Sequence, residues 1–435
     1  MADLSFDLIC SLFECAFQSF TRRYWLPYCA CVPSVLAMSD YESDEEPTAA
    51  DETVLNKYKV AGEIVHTVLK ELMKQCIPGA KIIELCEYGD RRIVEETNKL
   101  FKREKEMKKG VAFPTTISVN NIICHYSPIS GEENAIEVLN DEDLVKIDLG
   151  AHIDGFSAVI GHTFVIGASP EKKVTGRKAD AIIAANVAAE VARRLVKPGN
   201  ENYEVSDMIT KAVADFDCRP VQGVQSHLLK KLVFDGDKSI VLNPDDDHKK
   251  GVEKCTFEMY EAWLLDIVVS TGSGKSREHT ARTTLFKKNE TLYHLKMKAS
   301  RSKFFCYLTF LEFYSEVSMK FQEYPFNIRS VEDIKSARYA VTECASHNVI
   351  TPMPVLVEKE KEFVAQFRFT VVLMPNGLMK ITGLPFDSSL YKTDFKTVDA
   401  EVKELLSQPV KSSGSKKKKP VNAGNGQGRP AAQKA

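Results

Sequence analysis

Residues 144–167 carry the side chains with the clearest capacity for chemistry. Apolar residues alternate there with polar or small ones, which is the period of a β-strand. The alternating apolar residues are Val145, Ile147 and Leu149. Asp154-Gly155 predicts a hairpin turn, because glycine supplies the positive φ that such turns need. Asp148 lies on the first strand and His152 just before the turn, and a hairpin can direct acidic side chains into a two-metal site.

This hairpin resembles the metal-binding hairpin of the methionine aminopeptidases. That family places one Asp on the first strand and a second Asp eleven positions later. Asp148 stands at the first position. Val159 stands at the second position and has no lone pair to give a metal ion. The resemblance therefore implies a peptidase-like scaffold that has lost part of its metal site.

The peptidases bind two divalent ions through two Asp, one His and two Glu, and each remaining position has a counterpart here. The metal-binding His corresponds to His227. The first Glu corresponds to Asp266, which keeps the charge on a side chain shorter by one C–C bond, about 1.5 Å. The last Glu corresponds to Arg368, and the substrate-side His corresponds to His125. By this resemblance, two carboxylates remain of four.

A guanidinium at the last ligand position changes the chemistry of the site. Arginine stays protonated and coordinates no cation. We expect Arg368 to pair with Asp148 or Asp266 and to fill the space of a metal ligand. We predict no catalytic residue, no metal and no cofactor. Two alternatives remain: a single metal ion on Asp148, His227 and Asp266, and a metallo-aminopeptidase with a rearranged metal site.

Long passages of the chain resemble the proliferation-associated (ErbB-3-binding) protein family, a non-peptidase branch of the methionine aminopeptidase-like superfamily. They include EKEMKKGVAFPTTISVNN, VKIDLGAHIDGF, VTGRKAD, RLVKPGN and EFVAQFRFTVVLMPNG. The resemblance extends from Met38 to about Lys419. It implies an α/β fold of the pita-bread kind, in which two pseudo-symmetric halves of antiparallel sheet, flanked by helices, surround a central cleft.

The same resemblance implies a function. It predicts a non-enzymatic RNA-binding protein that associates with ribosomal RNA and ribosomal particles and acts in growth control, translation, transcription and ribosome biogenesis. It also implies protein partners in signalling and transcription, and a location in the cytoplasm and the nucleus, including the nucleolus. A protein-only adaptor that holds peptide termini in the cleft is a further alternative.

Composition predicts one large folded unit between terminal segments of different composition. The 435 residues are 44% hydrophobic and 27% charged, which is ordinary for a globular protein. The 11 cysteines follow no disulfide framework and indicate a reducing compartment, and no apolar run is long enough to insert in a membrane. We divide the chain into an uncertain N-terminal extension (1–37), an acidic flexible segment (38–51), a pita-bread domain (52–407) and a disordered basic tail (408–435). The aromatic run 304–314 is a possible insertion, interpreted as an exposed strand or partner-binding element.

Consecutive lysines in the tail form the clearest positive signal. They attract phosphate backbones through counterion release, and they also suit a nuclear or nucleolar import signal. The predicted RNA-binding residues are Lys416, Lys417, Lys418 and Lys419. The alternative is a solvated tail without a partner. Two further basic groups could together form a basic surface. The first, at the end of a helix predicted over residues 81–109, comprises Lys102, Arg103, Lys105, Lys108 and Lys109. The second comprises Lys296, Lys298 and Arg301.

Two weaker motifs favour ordinary structural roles. Residues 270–276 resemble a phosphate-binding loop, but Val269 stands where the motif needs glycine. Residues 402–406 resemble a short L-x-x-L-L docking helix, with Val402 in place of the first leucine. We interpret the first as a loop after a strand and the second as a turn of a C-terminal helix.

Overall fold

The computed structural model of the chain describes residues 47–132, 135–289 and 312–410. Eight α-helices lie in these ranges. They are α1 (Glu52–Gln75), α2 (Ile82–Lys99), α3 (Gly176–Leu195), α4 (Asn202–Ala214), α5 (Asp246–Gly251), α6 (residues 312–320), α7 (Ile334–Ser346) and α8 (Ala400–Ser407). Two short 3-10 helices span Ile328–Ser330 and Ser388–Leu390.

Fifteen β-strands lie in the same described ranges. They are β1 (Lys109–Val119), β2 (Ile122–Cys124), β3 (Leu144–Ile153), β4 (Phe156–Val165), β5 (Arg219–Pro220), β6 (Gln225–Leu229), β7 (Ser239–Val241), β8 (Ala262–Ser270), β9 (Arg277–Glu278), β10 (Leu285–Lys288), β11 (Phe326–Asn327), β12 (Ile350–Met353), β13 (Leu356–Val357), β14 (Val364–Met374) and β15 (Gly377–Lys380). Nine of them form one antiparallel sheet, whose main path runs β1-β3-β4-β14-β8-β6-β7. The predicted α/β architecture is confirmed.

The hairpin that joins β3 and β4 sets the register of the sheet. Asp154 and Gly155 both have positive φ, 53° and 83°, which is the backbone that a two-residue hairpin turn of the favoured kind requires. The turn pairs Ile153 with Phe156, and the pairing continues to Leu144 and Val165. Because side chains alternate between the two faces of a strand, this register decides which residues reach the cleft.

The two faces of the sheet have different roles. Helices α1 and α2 pack against the β3–β4 half, and α3 and α4 pack against the β8–β14 half. Odd-numbered residues of β3, β8 and β14, such as Ile147, Ile267 and Phe367, belong to these two cores, and on β4 the order of odd and even positions is reversed. Even-numbered residues, such as Asp266 and Arg368, lie on the opposite face, where the cleft opens. The helices thus hold the strands that position the candidate site.

The first and last helices bound the regular structure of the described residues. Asp51 caps α1 by accepting a hydrogen bond from the Thr53 amide at 2.8 Å, and α8 ends at Ser407. Residues 1–46 and 411–435 lie outside the described residues, so the N-terminal extension, the acidic segment and the basic tail stay predictions. Within the described ranges, no helix has the length and apolarity that crossing a membrane requires.

The helix predicted over 81–109 is shorter than expected. It ends at Lys99, because Leu100 adopts an extended backbone and Phe101 has a φ of 49°, which α-helices do not contain. The basic residues at 102–108 therefore lie on a loop, and Lys109 begins β1. The basic residues Lys296, Lys298 and Arg301 lie outside the described residues.

The expectation of an exposed strand at 304–314 is wrong for its last three residues. Residues 312–314 belong to α6, and Phe313 is buried with Val317 and Phe326 in a separate apolar core. Residues 304–311 lie outside the described residues. Where it is described, the aromatic run packs inside the fold rather than facing a partner.

Four buried or half-buried histidines predict loss of stability in mild acid. Burial lowers the pKa of each to about 4, from about 6.5 in an unfolded chain. They are His125, His152, His162 and His227. A base whose pKa falls on folding contributes stability above pH 6.5 and loses it as the pH falls towards 4. We expect His162→Gln to reduce the steepness of that loss by about 1.4 kcal/mol per pH unit, measured by urea unfolding between pH 7.5 and 4.5; an unchanged slope would contradict it.

Candidate functional site

A row of directly paired residues crosses the sheet at the candidate site. Asp148 on β3 lies opposite Gly161 on β4, Gly161 lies opposite Arg368 on β14, and Arg368 lies opposite Asp266 on β8. A Cβ atom at Gly161 would lie 2.1 Å from Asp148 Oδ1 and 2.7 Å from Arg368 Cβ. Glycine at this point therefore allows the carboxylate of Asp148 and the arginine to approach across β4.

Arg368 occupies the middle of this row as a buried cation. Its Nε lies 3.2 Å from Asp266 Oδ2, which is one of the two pairings expected from the sequence. Its guanidinium carbon lies 4.5 Å from the ring centroid of Phe113 and 5.6 Å from that of Phe234, and the two rings stack at 5.7 Å. Only 9% of the side chain is exposed. The ion pair and the cation–π contacts hold the charge where the resemblance places a metal ligand.

The two acidic side chains of the row are buried on the cleft face. Burial raises the pKa of Asp148 to about 7, while the Arg368 charge opposes that rise. Burial also raises the pKa of Asp266, and Arg368 and a hydrogen bond from Gln366 oppose it. Gln366 Nε2 donates to Asp266 Oδ1 at 2.8 Å. Asp266 therefore accepts a hydrogen bond on Oδ1 and forms an ion pair with Arg368 through Oδ2.

Val159 belongs to the packed core. Its side chain is fully buried, and the register pairs it with Gly150, where a Cβ atom would lie 2.9 Å from Val159 Cγ2. Its amide donates to Thr370 Oγ1 at 3.0 Å, and its carbonyl accepts from Thr382 Oγ1 at 2.6 Å. The position that corresponds to the second Asp thus contributes methyl groups to the core and no metal ligand.

The other predicted residues share one cavity of about 500 Å³. Its lining includes His125, Asp148, His227, Asp266 and Arg368. The structure therefore brings five of the six predicted positions together and leaves Val159 beside them in the core.

His125 and His227, two of the histidines that line this cavity, are neutral at physiological pH. Burial lowers the pKa of both to about 4. His125 Nδ1 donates to the carbonyl of Pro354 at 3.0 Å, which leaves Nε2 as an acceptor. His227 Nδ1 is buried and has no hydrogen-bond partner among the described residues. Neither ring adds a positive charge to the cleft.

The residues present do not fit a two-metal site. In the described ranges, no group of three or more His, Cys, Asp or Glu side chains is placed to hold a metal ion. One ligand position carries a buried valine, and another carries a cation that is already paired with a third position, Asp266. A divalent ion there would have to displace the Arg368 charge from its partner. The arrangement is a buried ion pair between Arg368 and Asp266 rather than a set of metal ligands.

In the segment 270–276, which resembles a phosphate-binding loop, the hydrogen-bond donors bind a carboxylate of the protein itself. Glu358 is buried and accepts hydrogen bonds from Ser270 Oγ at 3.0 Å and from the Gly274 amide at 2.8 Å. Ser273 Oγ also donates to Glu358, at 3.3 Å. The place that a phosphate would take among these donors is filled by the protein itself. The loop therefore joins β8 to β9 and serves a structural role.

The segment 402–406, which resembles an L-x-x-L-L docking helix, also has a structural role. Helix α8 buries Val402 and Leu405 in the core that α3 and α4 share with the sheet, and Leu406 packs against the same core. These apolar side chains are therefore committed to the fold and are not displayed for a docking partner.

Sequence reasoning missed three residues that complete the cleft. Gln366 lies two positions before Arg368, so the two-residue period of a strand could have placed it on the cleft face. Phe113 and Phe234 carry no local signal, because they meet Arg368 only through sheet pairing and a distant loop. The tail residues Lys416–Lys419 lie outside the described residues, so their role stays a prediction.

Comparisons with known proteins define the class of protein to which this chain belongs. The model of metallopeptidase family M24 matches residues 56–236. A solved structure of a thermophilic Arx1 is similar at a TM-score of 0.75 and 32% sequence identity, covering 83% of this chain and 100% of that chain. With the nine-stranded sheet and the cleft, these matches define a methionine aminopeptidase-like, pita-bread protein of the M24 class.

Relatives of higher sequence identity identify the family within this class. The ErbB-3 binding protein 1 of Solanum tuberosum is 44% identical over 391 residues, 88% of this chain and 95% of that protein. The curved DNA-binding protein of Schizosaccharomyces pombe is 38% identical over 388 residues, 88% of this chain and 98% of that protein. The chain belongs to the ErbB-3-binding, or proliferation-associated, protein family.

Proposed function

We propose that this protein is a non-enzymatic, ribosome-associated RNA-binding regulator of growth, translation and transcription on a peptidase-like scaffold. The observation that carries the non-enzymatic part is the position of Arg368. Its buried guanidinium pairs with Asp266 and packs against Phe113, in the row where the peptidases hold metal ions. Val159 removes a second ligand at the same site. The cleft then acts as a rigid part of the scaffold, and binding falls to other surfaces.

The nucleic-acid part rests on charge and on the family. A relative that aligns with 88% of this chain is named a curved DNA-binding protein. The last 28 residues of the chain contain seven basic residues and no acidic one; these are Lys411, Lys416, Lys417, Lys418, Lys419, Arg429 and Lys434. Such a tail binds phosphates without reading sequence and releases counterions as it binds. We assign the tail to RNA, on ribosomal particles, in the cytoplasm, nucleus and nucleolus.

The tail should dominate the salt dependence of RNA binding. Replacing Lys416–Lys419 together by alanine removes four phosphate contacts. We expect RNA affinity at low salt to fall about tenfold or more, and the slope of log K against log salt to fall by about 3 for single strands. Fluorescence anisotropy with a labelled ribosomal RNA fragment, over a series of salt concentrations, measures both quantities.

A matched control replaces four lysines of the folded part by alanine: Lys70, Lys74, Lys359 and Lys361. If this variant loses as much affinity as the tail variant, the tail has no special role. If the full chain binds no RNA and captures only proteins from the same extract, the adaptor alternative replaces the RNA-binding proposal.

A further inference from the structure

A second cavity, of about 440 Å³, lies outside the cleft. It is formed by the last turns of α2, the start of β1, and the segment from the end of α6 to the 3-10 helix at Ile328–Ser330. Its volume is within the range of about 300–1,000 Å³ that small-ligand pockets occupy. Neither the family resemblance nor the site described above assigns it a role.

Aromatic, proline and aliphatic side chains form part of the walls of this cavity. Phe321 lines it and stacks on Phe326 at 4.9 Å with an interplanar angle of 12°. Pro114 and Pro325 line it as rigid rings, and Val94 stands at its mouth with 44% of its surface exposed. A slot walled by rings and short aliphatic side chains suits a planar ligand.

One buried polar side chain in the lining lacks a partner. His152 is 7% exposed and stacks on Tyr324 at 4.6 Å. Its Nδ1 is buried and has no hydrogen-bond partner in the described part of the chain. Burial lowers its pKa to about 4, so the ring is neutral and offers one donor and one acceptor. A base edge, which also carries both donors and acceptors, is complementary to it.

Three cations are among the side chains that line the slot. Arg91, Lys109 and Lys320 line it; Arg91 lies 3.7 Å from Glu95, and the two lysines donate to the Leu100 and Ser330 carbonyls. The two acids of the lining are also engaged by arginines: Asp90 by Arg329 at 2.5 Å and Glu95 by Arg92 at 2.7 Å. The basic loop joins Asn98 to Lys109, and both of these residues line the cavity. The loop cations Lys102, Arg103, Lys105 and Lys108 therefore lie within a few residues of the rim.

We propose that this cavity holds one unstacked base of single-stranded RNA, with Phe321 and the proline rings against the base, His152 at its edge, and the rim cations on the flanking phosphates. The proposal rests on the proposed RNA-binding function and assigns it a site on the folded domain. Aromatic and apolar walls supply sequence-tolerant stacking, and the rim supplies charge.

The test fills the slot without changing charge. Val94→Trp places an indole at the mouth, and Val398→Trp makes the same change at a valine that is 68% exposed elsewhere. Both sites are exposed, so we expect both variants to fold like the wild type by circular dichroism. We expect Val94→Trp to weaken binding of the full chain to a labelled ten-nucleotide oligouridylate about tenfold, and Val398→Trp to change it less than twofold. The salt slope should be the same for all three proteins, because the phosphate contacts remain.

The outcomes separate this site from the proposed function. Equal affinity of the two tryptophan variants, with salt-dependent RNA binding by the wild type, would overturn the slot and leave the RNA-binding proposal standing. No RNA binding by the wild type would overturn both. As a second measurement, ultraviolet crosslinking of a 4-thiouridine oligonucleotide should mark peptides containing residues 91–98, 109–114 or 320–330. Crosslinks confined to residues 411–435 would overturn the slot.

Discussion

Arg368→Ala is expected to lower the free energy of unfolding by about 3–5 kcal/mol at pH 7.5. The substitution removes the charge that pairs with Asp266 and leaves a buried carboxylate without its cation. It also removes the contacts of the guanidinium with the Phe113 and Phe234 rings. Urea unfolding followed by circular dichroism measures the change. A loss below about 1 kcal/mol would mean that Arg368 does not hold the cleft together.

Two further variants isolate the reason for that loss. Arg219→Ala removes an exposed arginine on β5, outside the row that holds Arg368, and should change stability by less than about 0.5 kcal/mol. Adding Asp266→Asn to Arg368→Ala removes the unpaired charge while the amide can still accept from Gln366. We expect this double variant to recover most of the loss. If it is no more stable than Arg368→Ala, packing rather than charge explains the effect.

Val159→Asp together with Arg368→Glu is expected to restore metal binding. The two changes bring the site to four carboxylates and His227, on the face where Asp148 and Asp266 already lie. Four carboxylates repel one another unless dications balance them, so metal uptake and stability should rise together. We expect about two Mn²⁺ or Co²⁺ per chain after dialysis, by elemental analysis, and a melting temperature that rises when metal is added.

The single variants are the controls for this experiment. Val159→Asp alone keeps the Arg368 cation and should take up no stoichiometric metal. Arg368→Glu alone lacks one ligand and should bind fewer ions, more weakly. A double variant that folds but stays free of metal would show that the cleft itself has changed shape. In that case the loss of ligands would be only part of the difference from the peptidases.

Local signals predicted the parts of this fold that depend on short stretches of chain. The turn at Asp154-Gly155 could be predicted because only a narrow set of residues accepts two positive φ angles in sequence. The ion pair of Arg368 could be predicted because a buried cation needs an acidic partner and Asp148 and Asp266 were the two carboxylates available. The predicted helix over 81–109 ran ten residues too far, because its charged residues fit a helix as well as a loop.

Features that depend on long-range pairing could not be predicted in this way. Phe113 and Phe234 lie 121 positions apart and meet only because the sheet brings β1 beside the loop after β6. The second cavity is formed by α2, β1 and β11, and sequence showed only its neighbouring basic loop. Glu358 fills the phosphate-like loop from 84 residues away. Such long-range contacts produce no periodic pattern in the sequence.

Metal content and methionine release, measured on one sample of the wild-type protein, test the central claim most directly. The purified full chain is dialysed against Co²⁺ or Mn²⁺, analysed for bound metal, and incubated with a short peptide that begins with methionine. Arg368 and Val159 predict no stoichiometric metal and no release of methionine. Two metal ions per chain with turnover would contradict the account, and the protein would then be a metallo-aminopeptidase with a rearranged site.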